Sequence, residues 1–371
     1  MAVSIVFPRY VALSMATSMT PNFAARLPAE PPDRNPAIAV IILNWNGKND
    51  TLACLRSVRD ISYTNFSTMV VDNGSTDGSV EAIADDHPAV TIIETGSNLG
   101  YAGGNNVGLK SALRAGAKYA LLLNNDTVVD PQILSAFLNS AIAFPNGAMF
   151  AAKIYYFSRP TTIWYAGARW SAKKQDFEHV GVNEIDNGKF DAAAETAYAC
   201  GCALFVRTDV INEIGFLHER YFLLYEEADW CYRAKRAGYI SVFVPSAKVW
   251  HKVSASLGTG SPLIRYFEIR NTLLWAERNL PILACVRLNI FVISAFATEL
   301  FTKLRRTRVS WSGGTLSPRR LYWTLIAFRR EISKTVSDPI FLARMWGIRD
   351  YFFRRFGDCP QTLRLRFLRR R

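Results

Sequence analysis

Apolar and polar positions follow one another along the first 130 residues in two alternating rhythms. Residues 37–43 form a continuous apolar, β-branched run that stops at the polar Asn44-Trp45-Asn46-Gly47, the pattern of a strand buried on both faces. Leu52, Leu55 and Val58 then mark a helical stripe. The pattern recurs: residues 68–71 stop at Asp72, 90–93 lead into a Gly-rich stretch, and 119–123 stop at Asn124-Asn125-Asp126, with helix-like segments between. Strands alternating with helices predict an α/β fold whose mostly parallel, Rossmann-like sheet carries helices on both faces. Ligands of such sheets bind beyond the carboxyl ends of the strands, where Asn44, Asp72, Asn98 and Asp126 all fall.

From about Ala148 the rhythm shortens. Strand-like pieces are expected over 150–157, 162–170 and 198–206, an acidic helix over 225–237, and strands over 240–244 and 248–250. This stretch reads as the second half of one continuous domain spanning 37–280, with a nucleotide-binding half at 37–130 and an acceptor-side half at 131–280. Residues 263–279 read as a helix. The mostly apolar 281–304 that follows is interrupted by Arg287, Asn289 and Glu299, so it is marginal as a spanning helix and suits one lying in the membrane plane better.

Charge divides the chain more sharply than its net +13 suggests. Residues 301–371 hold 18 Lys and Arg against 4 Asp and Glu, which leaves the first 300 residues near neutral. In that tail, basic residues from Arg305 to Arg371 interleave with Trp311, Tyr322, Trp323, Phe341, Trp346, Phe352, Phe353 and Phe367. The mixture suits an anionic membrane surface, and no nucleic-acid-binding motif accompanies it. A solvated basic face on ordinary helices is the alternative. Residues 1–36 read as a flexible extension, rich in proline from 21 to 36 and without the order of a signal peptide. The six cysteines show neither a disulfide framework nor paired zinc spacing and read as reduced, as in the cytoplasm.

Four segments carry candidate chemistry. Asp72, before Asn73-Gly74-Ser75-Thr76-Asp77, offers a carboxylate for a pyrimidine or ribose, or simply opens a capped turn. In Asn98-Leu99-Gly100-Tyr101-Ala102-Gly103-Gly104-Asn105 the glycines let backbone N–H groups approach a phosphate, or else form a structural turn. Neither a dinucleotide fingerprint nor an ATPase phosphate loop is present. Asp126 at a strand end suits a divalent cation bridging a diphosphate, and His251 is a structural histidine or a further ligand, better matched to Mn²⁺ than Mg²⁺. Glu226, Glu227 and Asp229 open the acidic helix. Asp229 reaches Arg233 as an ordinary surface pair, while Glu227 points away from that face and is free to accept a proton from a sugar hydroxyl.

Together these segments resemble the family 2 glycosyltransferases, in the branch with rhamnosyl- and galactofuranosyltransferase-like enzymes. The resemblance spans 37–281 and rests on the ordered set just quoted plus Gly201-Cys202-Ala203, Val249-Trp250-His251 and Arg270-Asn271. It implies the A-type glycosyltransferase fold and an inverting single displacement. Asp72 would hold the nucleobase, with Asn44 and Asn98 lining the nucleotide pocket. Asp126 would be the surviving acid of the D-x-D metal motif, with Asn124 in place of its first Asp. His251 would be the later metal ligand and Glu227 the general base.

The expected enzyme thus carries Glu227 as its catalytic residue and Asp126 and His251 as ligands of Mn or Mg. Asn44, Asp72, Asn98, Gly103, Gly104, Asn105, Asn125 and Glu226 would bind substrate. It would move a sugar from a dTDP- or UDP-linked donor to a glycan or lipid-linked acceptor, at the cytoplasmic face of the membrane and without nucleic acid. A catalytically silent nucleotide-sugar-binding subunit, or a membrane-associated scaffold, is the alternative.

Overall fold

The computed structural model describes residues 35–171, 173–253, 261–305, 338–361 and 363–364. Strands β1 (Ile38–Asn44), β2 (Phe66–Asp72), β3 (Thr91–Glu94) and β4 (Tyr119–Asn124) are all parallel. Helices α1 (Lys48–Arg59), α2 (Ser79–Asp86) and α3 (Gly100–Arg114) connect them. A short β5 (Thr127–Val129) and helix α4 (Ile133–Ala143) follow, then β6 (Gly147–Tyr156), β7 (Arg159–Tyr165) and a separate hairpin of β8 (Ala168–Ser171) and β9 (Asp176–His179). After β10 (Ala194–Glu195) come β11 (Ala203–Arg207), α5 (Thr208–Ile214), α6 (Glu226–Arg236), β12 (Ile240–His251), α7 (Pro262–Asn279), α8 (Ile282–Arg305) and α9 (Pro339–Phe352).

The main sheet runs β10-β12-β6-β11-β4-β1-β2-β3. β11 is antiparallel to both its neighbours, β4 and β6, and thereby splices β6 and β12 onto the parallel half. The fold is the expected α/β architecture with a mostly parallel central sheet. Helix α3 packs against β1, β2 and β4, and α4 against β6 and β12. β1 is buried along nearly its whole length, as a central strand covered on both faces must be.

Strand register sets the site. Asn44 pairs with Asp72 across β1/β2, and Leu43 with Asn124 across β1/β4, so three polar strand ends share one edge. On the far side Thr127 of β5 pairs with His251 of β12, and the Lys252 N–H donates to the Asp126 carbonyl at 3.0 Å. That short antiparallel ladder brings Asp126 and His251 together. The two strands expected over 240–250 are one, with a register irregularity between Val244 and Lys248. Pro245 lies there, and a proline cannot donate to a ladder.

The C-terminal elements fold back onto the α/β part. The Tyr266 hydroxyl donates to Asp350 at 2.8 Å, and Leu342, Ala343, Cys359 and Leu363 share an apolar cluster with Phe222, Leu263 and Phe267. The described basic residues of the tail are engaged within the protein. Arg344 pairs with Glu299, Arg349 with Asp350, and Arg354 with Glu277 at 2.6 Å. Phe341 is buried, while Phe352 and Phe353 are exposed. The side chains of Arg305, Arg306, Arg308, Arg319, Arg320, Trp311, Tyr322, Trp323, Arg366, Phe367 and Arg369–371 lie outside the described residues.

Candidate active site

Beyond the carboxyl edge of the sheet lies a cavity of about 330 Å³, large enough for a small-molecule ligand. One wall is polar, with Asn73, Asn98, Asn124, Asn125, Asp126, Glu226, Glu227 and His251. The rest of the lining is mostly apolar and includes Trp45, Trp164, Leu223, Leu224, Val253, Leu263, Ile264 and Phe267. Asp126, Glu227 and His251, scattered over the sequence, therefore meet at one opening.

Asp126 and His251 are both buried and touch, with His251 Nε2 3.1 Å from Asp126 Oδ1. Trp164 contacts the imidazole edge-on at 5.1 Å between centroids. Nε2 is the nitrogen turned to the carboxylate, and His251 Nδ1 is buried with no hydrogen-bond partner. One oxygen and one nitrogen donor, completed by phosphate oxygens and water, suit Mn²⁺. No cluster of three or more His, Cys, Asp or Glu ligands occurs among the described residues.

Glu226 and Glu227 open α6, and Oε2 of each is buried without a partner. Burial pushes the Glu226 carboxyl well above the usual glutamate range, and the neighbouring Glu227 adds to the rise. Burial raises Glu227 as well, opposed by backbone hydrogen bonds that include one from Gly201. Two adjacent carboxyls in a dry wall cannot both ionise easily, and burial raises both.

The segment before α6 has a costly backbone. Phe222, Leu224 and Tyr225 have φ of 65°, 72° and 78°, left-handed values that residues with a side chain rarely adopt. Asn271 Nδ2 lies 3.0, 2.8 and 2.8 Å from the carbonyls of Tyr221, Leu223 and Leu224. Arg270 Nη2 donates to the Tyr221 carbonyl at 2.8 Å, and its Nε to Asn271 Oδ1 at 3.0 Å. The Tyr225 hydroxyl donates to Asp176. The helix then locks at Asp229, whose fully buried carboxylate accepts from Arg233 (2.9 Å), Arg278 (3.1 Å), Asn279 (2.9 Å) and Tyr221 (3.1 Å). The expected Asp229–Arg233 pair exists, but it is buried and anchors α6 to α7.

Several expected contacts lie behind the cavity wall. Asp72 and Asn44 are buried and bonded to each other, Asn44 Nδ2 to Asp72 Oδ1 at 2.7 Å, and the Ser75 N–H donates to Asp72 Oδ2 at 2.8 Å. Asn44 Oδ1 accepts from Thr51 Oγ1 at 2.7 Å and Asn125 Nδ2 at 3.2 Å, so it braces Asn125, which does line the cavity. Asn73, next to Asp72, is the residue of that turn that faces the opening.

The glycines of the second loop are corrected more firmly. Gly103 and Gly104 lie inside α3, buried; a Cβ on Gly104 would stand 2.4 Å from Leu43 Cδ1. Gly104 lets α3 settle on β1, while a Cβ on Gly103 would stand 2.8 Å from Leu99 Cβ. Asn105 is buried, bonded to the Tyr101 carbonyl at 3.0 Å. The helix N-terminus is already occupied: the Tyr101 N–H donates to the Phe222 carbonyl at 2.6 Å, and the Gly100 N–H to Asn98 Oδ1 at 2.8 Å. Asn98 thus caps α3 while lining the cavity.

Over residues 39–215 the chain matches the family model described as Glycosyl transferase family 2. It is 28% identical over 220 residues to the N-acetylglucosaminyl-diphospho-decaprenol L-rhamnosyltransferase of Mycobacterium tuberculosis, a match covering 52% of this chain and 68% of that one. It is 23% identical over 290 residues to the dTDP-rhamnosyl transferase RfbF of Shigella flexneri, covering 75% and 92%. Its fold is similar to that of the mannosyltransferase PcManGT from Pyrobaculum calidifontis, solved with GDP-Man and Mn²⁺. That likeness has a TM-score of 0.53 at 15% identity and covers 86% of this chain and 88% of that one.

Proposed function

We propose that this chain, which matches the family 2 glycosyltransferase model over residues 39–215, is an inverting transferase that moves rhamnose from a dTDP-linked donor, with a UDP-linked sugar second, to a hydroxyl of a lipid-linked glycan acceptor. The observation that carries this reading is that Asp126, His251, Glu226 and Glu227 line one cavity together with Leu263, Ile264 and Phe267. In this reading Asn98, Asn125 and Glu226 contact the donor, and Asp72 and Asn44 act from behind Asn73 and Asn125. Glu227 accepts the acceptor proton as the new bond forms. Leu263, Ile264 and Phe267 hold the apolar part of the acceptor and exclude water. Mn²⁺ held by Asp126 and His251 would supply charge neutralisation for the departing diphosphate.

The test is a thermal-shift screen of dTDP- and UDP-sugars with and without Mn²⁺, followed by transfer to a polyprenyl-linked acceptor. A larger melting shift for a dTDP- or UDP-sugar when Mn²⁺ is present, and a product of inverted anomeric configuration, are expected. A chain that binds no member of the panel is not a transferase of this kind.

The site of action is proposed to be the cytoplasmic membrane surface. Ile282–Thr302 is long and apolar enough to cross a bilayer, and only 6% of its window is buried in the protein. Leu288 and Phe296 face α7 and α9, whereas Val286, Ile290 and Ile293 are exposed. Each Asp at the centre of a membrane helix costs about 2.5–3.5 kcal/mol. The double variant Ile290→Asp/Ile293→Asp is therefore expected to move the protein from the membrane to the soluble fraction of lysed cells. Continued sedimentation with membranes would remove α8 as the anchor.

A further inference from the structure

One residue of the cavity wall comes from a segment that none of the quoted motifs includes. Arg364 is the single Lys or Arg among the described residues lining the opening. It follows Leu363, which is buried in the cluster with Phe222, Leu263 and Phe267, and its N–H donates to the Pro360 carbonyl at 3.1 Å. Its guanidinium lies 5.2 Å from the ring centroid of Trp45, the residue just past the end of β1. Nη2 donates to Asp358, but Nε is buried and has no partner. The position expected to serve an anionic membrane surface thus faces the cavity instead.

The charges around it ask for a use. Asp126, Glu226 and Glu227 share the cavity, and a diphosphate entering there meets carboxylates first. A guanidinium presents several N–H donors in a planar fork that matches phosphate oxygens, and such charge-assisted contacts are the strong ones. Asp358 takes one nitrogen and the Cys359 side chain is a further neighbour, but a guanidinium has five N–H donors, so donors remain. We propose that Arg364 binds phosphoryl oxygens of a substrate in this cavity. The inference rests on the transferase reading above. The chemistry has two sources: the diphosphate of the donor, and the phosphate of a lipid-linked acceptor lying along Leu263 and Phe267.

The experiment compares the full chain with Arg364→Gln and Arg364→Lys. Affinities are measured for dTDP against thymidine, and for geranyl diphosphate against geraniol, with melting temperatures as a folding control. Wild type is expected to prefer a diphosphate over its phosphate-free partner. Arg364→Gln should lose roughly tenfold or more of that preference, the scale of a charge-assisted contact, with thymidine or geraniol affinity unchanged. Arg364→Lys, which keeps the charge without the fork, should fall between. Loss confined to the dTDP pair assigns the donor; loss confined to the geranyl pair assigns the acceptor. If wild type shows a preference that both variants retain in full, the role of Arg364 is overturned while the transferase reading stands. If wild type binds neither diphosphate, both fall.

Discussion

Glu227→Gln is expected to reduce transfer by at least about 10²-fold in kcat, the general-base contribution, while leaving donor affinity within a few-fold. The two neighbouring glutamates make the prediction sharp, because only one of them is assigned the proton transfer. Both carboxyls are raised by burial and two adjacent ones resist ionising together, so Glu226→Gln leaves one carboxylate in the pair and should change kcat little. Glu227 is the carboxylate that this reading gives the acceptor proton. Because protonation removes the base, activity should fall as pH drops through the Glu227 pKa. That acid limb should lie above the ordinary glutamate range. A pH profile of kcat for wild type and both variants checks each step. Loss in Glu226→Gln with near-normal turnover in Glu227→Gln would exchange their roles.

Much of this arrangement is legible in the chain, and the parts that are not share a cause. Strand ends were readable because a doubly buried strand must be apolar to its last residue, so Asn44, Asp72 and Asn124 announced the edge. What pattern could not say was which polar groups face the ligand and which brace those that do. Asp72 and Asn44 satisfy each other and sit behind the wall, a distinction decided by side-chain pairing across 28 residues. The Gly-rich stretch misled for a related reason. Glycine serves close packing and ligand approach equally well, and here Leu43 beneath Gly104 decides for packing. Arg364 had no local signal at all, since its place depends on α9 folding back over α7 and on Leu363 entering the cluster beneath it. Among the described tail residues, Arg354 and Arg344 read as free charge because their partners, Glu277 and Glu299, lie in α7 and α8.

Arg270-Asn271, which entered only as a motif of the resemblance, is the basis of the second large effect. Phe222, Leu224 and Tyr225 hold left-handed backbone at a cost of about 1–3 kcal/mol each, and something must over-determine them. Asn271 does so through three carbonyls, with its own oxygen fixed by Arg270. Asn271→Ala takes this donor from the Leu223 and Leu224 carbonyls, while Tyr221 keeps Arg270, at about 1–3 kcal/mol for each one left unmet, and the strained segment is then free to relax. Glu226 and Glu227 follow it directly, so relaxation displaces the base. A displacement near 1 Å costs on the order of 10²-fold in rate. Asn271→Ala is therefore expected to lower kcat by about 10²-fold with a much smaller change in donor KM, and to lower the melting temperature by several degrees. A purely structural loss would lower the melting temperature and leave the pH profile of the remaining folded enzyme in place. Here the acid limb should move down toward the ordinary glutamate range, because a loosened segment admits water and relieves the burial that raises Glu227. Unchanged kcat and an unmoved limb, measured well below the melting temperature, would show that the base holds its place without Asn271.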